Sequence, residues 1–175
     1  MRGINVGGKR KILMSDLKML YKELGFSNIT TYIQSGNVIF ESDSYEPNSY
    51  LAQSIEQAIF NIYRFDVPVI VRTAKNIESI ISHNPFLHTE NVDIERLHLT
   101  FLSENPSKGK IEKLRNKNIN PDRFEISENN VFVYCSGKYS DSKLTNSFFE
   151  NGLEVKATTR NWKTVSKLHE LASSV

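Results

Sequence analysis

The twelve residues Ile29-Thr30-Thr31-Tyr32-Ile33-Gln34-Ser35-Gly36-Asn37-Val38-Ile39-Phe40 decide how this chain is read. Ile29, Thr31 and Ile33 alternate with Thr30, Tyr32 and Gln34, the period of a half-buried strand. After Ser35-Gly36-Asn37, a small polar and glycine-bearing turn, the alternation resumes through Val38 and Phe40. The stretch predicts a β-hairpin. Upstream, Leu17, Leu20, Tyr21 and Leu24 recur at helical spacing behind Ser15, an expected N-cap, and ahead of Gly25, a helix stop. Downstream, Leu51, Ile55, Ala58, Ile59 and Ile62 form a second apolar stripe, and Val67, Val69 and Val71 read as a short strand. The first half therefore runs helix, strand, strand, helix, strand.

A third helix is signalled by Ile77, Ile80 and Ile81 and stops at Asn84-Pro85, because proline disfavours helical geometry in the residue before it. Beyond a linker, Leu97, Leu99 and Phe101 predict a strand, and Ile111 with Leu114 a helix. Phe124 with Ile126, a turn at Glu128-Asn129-Asn130, and Val131 to Tyr134 predict a second hairpin. A short helix around Leu144 and Phe148, a strand at Val155 and a last helix carrying Trp162, Val165, Leu168 and Ala172 follow. This is the β-α-β-β-α-β order of a ferredoxin-like unit with a helix appended, and the first half repeats it without its first strand. The fold class read from the sequence is α+β, with two ferredoxin-like halves, 1–84 and 96–175, joined by a linker at 85–95. The junctions Lys75-Asn76-Ile77 and Arg160-Asn161-Trp162 are read as equivalent.

Composition narrows the function classes. The 175 residues carry 22 basic and 20 acidic side chains, a net charge of +2, which argues against an obligate nucleic-acid binder while leaving a local basic patch open. No stretch reaches the ~20 apolar residues of a membrane span and none opens the chain as a signal peptide, so a cytoplasmic protein with no membrane partner is expected. Cys135 stands alone, so no internal disulfide can form. His83, His88, His98 and His169 lack the paired spacing of zinc ligands, and neither metal nor cofactor is expected.

Gly3-Ile4-Asn5-Val6-Gly7-Gly8-Lys9 fits the first part of a phosphate-binding loop, in which glycines let backbone N–H groups wrap a phosphate that lysine neutralises. Arg10 then stands where Ser or Thr should hold magnesium, so a nucleotide-hydrolysing loop is not expected. What remains is a flexible cationic loop of Lys9, Arg10 and Lys11 able to meet an anion, or a glycine turn with solvated cations. Gln34, a long amide at a strand end, suits a buried hydrogen bond or a ligand contact. Arg160, Lys163 and Lys167 share one side of the last helix, where Trp162 is read chiefly as a core anchor. The basic run Lys108, Lys110, Lys113, Arg115 and Lys117 is read as a solvated helix face, and Cys135 as a buried inert thiol. No catalytic constellation stands out, which leaves enzyme status undecided.

Four segments together carry a family resemblance: Arg2-Gly3-Ile4-Asn5-Val6-Gly7-Gly8-Lys9, Thr31 through Phe40, Asn84-Pro85-Phe86, and Thr158-Thr159-Arg160-Asn161-Trp162-Lys163-Thr164. They resemble the bacterial family called domain of unknown function 1697, along nearly the whole chain. The resemblance implies a two-part α+β fold of ferredoxin-like character and a stand-alone cytosolic protein, and brings no substrate, cofactor or catalytic residue. Members usually have a short apolar strand ahead of Arg-Gly-Ile-Asn, whereas Met1 directly precedes Arg2 here. The sequence reading therefore expects Met1 not to be the natural beginning of the functional chain.

The candidate ligand set is Arg2, Asn5, Gly7, Gly8, Lys9, Gln34, Arg160, Asn161 and Trp162, with Lys9 and Arg160 expected to serve one anion site. The leading expectation is a binding module for a small anionic or nucleotide-like ligand. Nucleic-acid binding through Phe132 and Tyr134, and an enzyme acting on an anionic metabolite, are the alternatives. Nothing in the residues sets an oligomeric state.

Overall fold

The computed structural model describes residues 1–89 and 91–174. Its described residues form six α-helices and two antiparallel sheets, a mixed α/β architecture. By packing, the chain divides into two compact units, Met1–Ala74 with Leu168–Val175, and Lys75–Lys167. Among the described residues no helix is long and apolar enough to cross a membrane.

In the first unit α1 (Met14–Glu23) buries Leu17, Leu20 and Tyr21, one stripe of an amphipathic helix. Ser15 does not cap it. Leu13 holds the N-cap position, and Ser15 lies inside the first turn with its hydroxyl donating to Asp16. The other end is built as the sequence suggests. Gly25, at φ +84°, sends its N–H to Lys22 O, and Phe26 sends its own to Tyr21 O, the paired bonds of a Schellman stop.

The hairpin follows as β1 (Ser27–Tyr32) and β2 (Asn37–Glu41), antiparallel with Tyr32 opposite Asn37. Helix α2 (Asn48–Tyr63) adds Leu51, Ile55 and Ile59 to the core. Tyr21, Phe26 and Phe40 lock together with ring centroids 4.4–5.6 Å apart. Val67–Val71, read from the sequence as a strand, does not become one. Pro68 has no N–H to offer a ladder, and Val69 donates its own to the Glu56 carboxylate at 2.8 Å. The segment still buries Val67 and Val69.

The second unit opens with α3 (Ala74–Ser82), whose Lys75–Ser82 pack with this unit although the order of elements places the helix at the end of the first half. Its sheet contains β3 (Leu97–Leu102), β4 (Arg123–Ser127), β5 (Asn130–Tyr134) and β6 (Ala157–Asn161), in the spatial order β4-β5-β3-β6 with every pair antiparallel. All six residues of β3 are buried. Helices α4 (Lys108–Arg115) and α5 (Asn146–Leu153) supply Leu114, Phe149 and Leu153 against Leu102, Val131 and Val133. Thr145 caps α5 by accepting the Phe148 N–H.

The chain ends in α6 (Trp162–Ala172), which belongs to the second unit through Lys167 and to the first from Leu168 onward. The expected strand at Val155 begins two residues later. Arg160-Asn161 therefore close a strand, whereas Lys75-Asn76 lie within a helix, so the two junctions are not built alike.

Candidate functional site

The glycine-rich segment is a miniature hairpin. Lys9 N–H donates to Val6 O at 3.1 Å and Asn5 N–H to Arg10 O at 3.2 Å, with Gly7 and Gly8 at the tip. Both glycines have positive φ, +59° and +74°, as a two-residue turn of this hand requires. Asn5 clamps the base. Its Oδ1 accepts the Ile12 N–H at 3.0 Å, and its Nδ2 donates to Ile12 O at 2.9 Å and to Gln34 O at 3.0 Å. Asn5 itself sits at φ +56°, a conformation asparagine tolerates better than most residues. Val6 and Lys9 close on each other, so the glycines make a tight turn and not a wide phosphate cradle; α1 begins only at Met14.

Gly7, Gly8, Lys9, Arg10 and Lys11 are all exposed. Among the described residues none of the three cations has an ion-pair partner. Arg10 folds back far enough that a Cβ on Gly3 would lie 3.3 Å from its guanidinium. Arg2 is half-buried, and its N–H donates to Pro68 O at 2.9 Å.

Gln34 occupies the loop between β1 and β2, its side chain exposed and its carbonyl taken by Asn5. Gly36, at φ +81°, packs so closely that a Cβ there would stand 2.9 Å from Ile4 Cδ1 and 3.0 Å from Met1 Cβ. Buried Asn37 turns its amide onto Tyr32 O and Ser35 Oγ. Ile33 is at φ +50°, a left-handed conformation that crowds a β-branched side chain, and is 51% exposed. The structure thus brings Asn5, Gly7, Gly8, Lys9 and Gln34 into one loop cluster of the first unit.

Arg160, Asn161 and Trp162 belong to the second unit. Asn161 accepts the Thr164 N–H on Oδ1 at 2.8 Å, which makes it the N-cap of α6. Trp162 is buried. Arg160 lies opposite Leu99 in the sheet, and its guanidinium donates to Thr158 Oγ1 and Thr159 O at 3.0 and 2.9 Å. Burial lowers its pKa to about 10, leaving it cationic at neutral pH.

Sequence reasoning missed a polar network around Asp122. This buried carboxylate accepts the Ser136 N–H at 2.8 Å, the Ser136 hydroxyl at 2.9 Å and the Ser142 hydroxyl at 2.6 Å. Burial works to raise its pKa, but the bonds from Ser142 and Ser136 prevail, with help from Lys143, and hold it below the ordinary value. Cys135 is buried and its thiol pKa is pushed up, foremost by desolvation, as for an inert thiol. Phe132 is buried, and Tyr134 lies beside Phe86 and under the Arg123 guanidinium, so these aromatics are not laid open to bases. In the basic run Lys110 pairs with Glu154 at 2.7 Å, Arg115 with Glu125 at 3.5 Å, and Lys117 stands over the Phe148 ring. Among the described residues no group of three His, Cys, Asp or Glu side chains gathers to hold a metal.

Fold and loop define a protein of two mixed α/β units, the first presenting a cationic glycine turn tied to a hairpin. The chain belongs to the family described as "Protein of unknown function (DUF1697)", whose model matches residues 1–132. The Thr158–Thr164 segment lies beyond that match. Among solved structures, the chain is similar to a conserved bacterial protein of Streptococcus pneumoniae, with a TM-score of 0.70 and 23% identity over 98% of this chain and 94% of the other. At that identity the likeness speaks for the fold alone. No curated protein matches the chain.

Proposed function

We propose that the protein is a cytosolic binding module for a small anionic or nucleotide-like ligand, held at the Gly7–Lys11 turn of the first unit. One observation carries this reading: Lys9, Arg10 and Lys11 stand exposed and, among the described residues, without ion-pair partners, on a turn whose base is clamped by Asn5. Cations left without acids keep their full attraction for a phosphate or carboxylate, and a tied loop loses less conformational entropy on binding than a free one. The frame is ferredoxin-like in this proposal, supported in the second unit by the β-α-β-β-α-β order and the β4-β5-β3-β6 arrangement.

The test is a thermal-shift screen of the whole chain against inorganic phosphate, nucleotides and phosphorylated metabolites, followed by titration of any compound that raises the melting temperature. Lys9→Ala should weaken that compound by roughly ten- to a hundredfold, the loss of one charge-assisted contact, while leaving the melting temperature of the free protein unchanged. A screen in which nothing shifts the protein, or a Lys9→Ala, Arg10→Ala, Lys11→Ala triple variant that binds as tightly as the parent, overturns the proposal.

A further inference from the structure

A single exposed aliphatic side chain needs no explanation, whereas several gathered beside cations do. Three adjoin the Asn5 clamp. Asn5 Nδ2 donates to Ile12 O and to Gln34 O, and each of the three residues so joined has an aliphatic neighbour in sequence: Val6 after Asn5, Leu13 after Ile12 and Ile33 before Gln34. These neighbours are 62%, 68% and 51% exposed.

Val6 and Lys9 are the closing pair of the miniature hairpin, and side chains paired across antiparallel strands leave from the same face with Cβ atoms ~4.5–5.5 Å apart. An isopropyl group and an ammonium therefore share that face. Gly7 and Gly8 between them carry no side chain, and a Cβ built on either would meet nothing within 4 Å, so the space over the turn is open. Ile33 holds a left-handed backbone at φ +50° that crowds its branched Cβ, and half of the residue stays in water, so burial does not offset the crowding. Residues kept in such conformations gather at ligand-binding positions.

We propose that the ligand of this turn is a phosphate ester of a planar, uncharged ring, with its phosphate on Lys9 and the neighbouring cations and its ring on Val6 and Ile33. This inference rests on the anion site proposed above and names the half of the ligand that the cations do not. Aliphatic groups give nothing to an inorganic anion, whereas they shelter the face of a ring from water. A planar group suits the turn because the two glycines leave flat peptide groups bare between Val6 and Lys9.

The experiment is an NMR titration of the whole chain with inorganic phosphate, glycerol phosphate and phenyl phosphate, at a pH where all three are dianions. Phenyl phosphate should bind about tenfold tighter than the other two or better, from the apolar area it covers. The Val6 and Ile33 methyl signals should move upfield with it alone, because protons above an aromatic ring are shielded. A Val6→Thr, Ile33→Asn double variant keeps a branched side chain at one position and, at the other, places a residue that tolerates left-handed backbone, so the loop keeps its course. It should bind inorganic phosphate as the parent does and lose about tenfold for phenyl phosphate. Equal affinity of the parent for all three compounds, methyl signals that stay in place, or a double variant that keeps the preference overturns this inference and leaves the anion site standing. Binding of none of the three overturns both.

Discussion

In the second unit β3 is paired on both edges and buried on both faces, whereas the first unit gathers its core around a two-stranded hairpin and three interlocked aromatic rings. Both contain a helix, a hairpin and a second helix in succession, but among the described residues the first unit has neither the central strand nor the closing one. The difference shows where each keeps its stability. A strand bonded on both edges cannot leave without breaking two ladders, so the second unit depends on the middle of its sheet. The first depends on helix packing and on short clamps such as Asn5 and Asn37, which hold loops in place of strands.

The largest break in this comparison should come from Leu102→Ala, which empties a fully buried site at the end of β3. It is expected to cost about 2–5 kcal/mol in urea unfolding. Val38→Ala in β2 removes two half-buried methyl groups and should cost about 1 kcal/mol or less, at ~0.8 kcal/mol per buried carbon. Equal losses would mean that β2 is as central to its unit as β3 is.

A smaller effect distinguishes the units by pH. Asp122 has its pKa depressed in the folded protein, so its contribution is complete above the ordinary carboxylate pKa and is lost as pH falls through the folded value. Urea midpoints measured from neutral pH downward should therefore fall for the parent in the acid range. Asp122→Asn should be less stable at neutral pH, because it loses the charge that three donors serve, and should show a shallower acid slope. Parallel slopes would remove Asp122 as the cause.

The smallest expected change is a gain. Left-handed backbone costs a residue with a Cβ about 1–2 kcal/mol, and glycine escapes that cost while losing ~0.5–1 kcal/mol of extra freedom on folding. Ile33→Gly, at φ +50° and half-exposed, should accordingly raise the stability of the first unit by about 0.5–1 kcal/mol. A decrease would show that the Ile33 side chain holds the β1–β2 loop through packing.

Much of the element order was legible because it is periodic. The alternation through Ile29–Phe40 and the stripe Leu17, Leu20, Tyr21 mark surfaces that must face a core, and each became the element it predicts. Ser15 misled because capping depends on where the backbone turns, and here it turns at Leu13. Val67–Val71 misled because apolar alternation records burial and not pairing, and a strand needs a neighbour. Of the candidate site, the cationic turn was visible from its composition. The role of Asn5 was not, since its partners Ile12 and Gln34 are fixed only by the fold. Asp122, Ser136 and Ser142 share no period either, although an aspartate between a proline and an arginine ahead of a strand was a signal worth following.

The division of α6 between the units has a consequence for synthesis. Met1–Ala74 leaves the ribosome well ahead of Leu168–Val175, yet the unit it forms includes both. At ~5–20 residues per second the early segment waits several seconds or longer for its closing piece. The second unit, Lys75–Lys167, is complete in the nascent chain before the first can be. The order of completion of these two units is then the reverse of the order of their emergence, and a stall of synthesis before Leu168 would leave the earlier-made unit, and not the later one, without its closing piece.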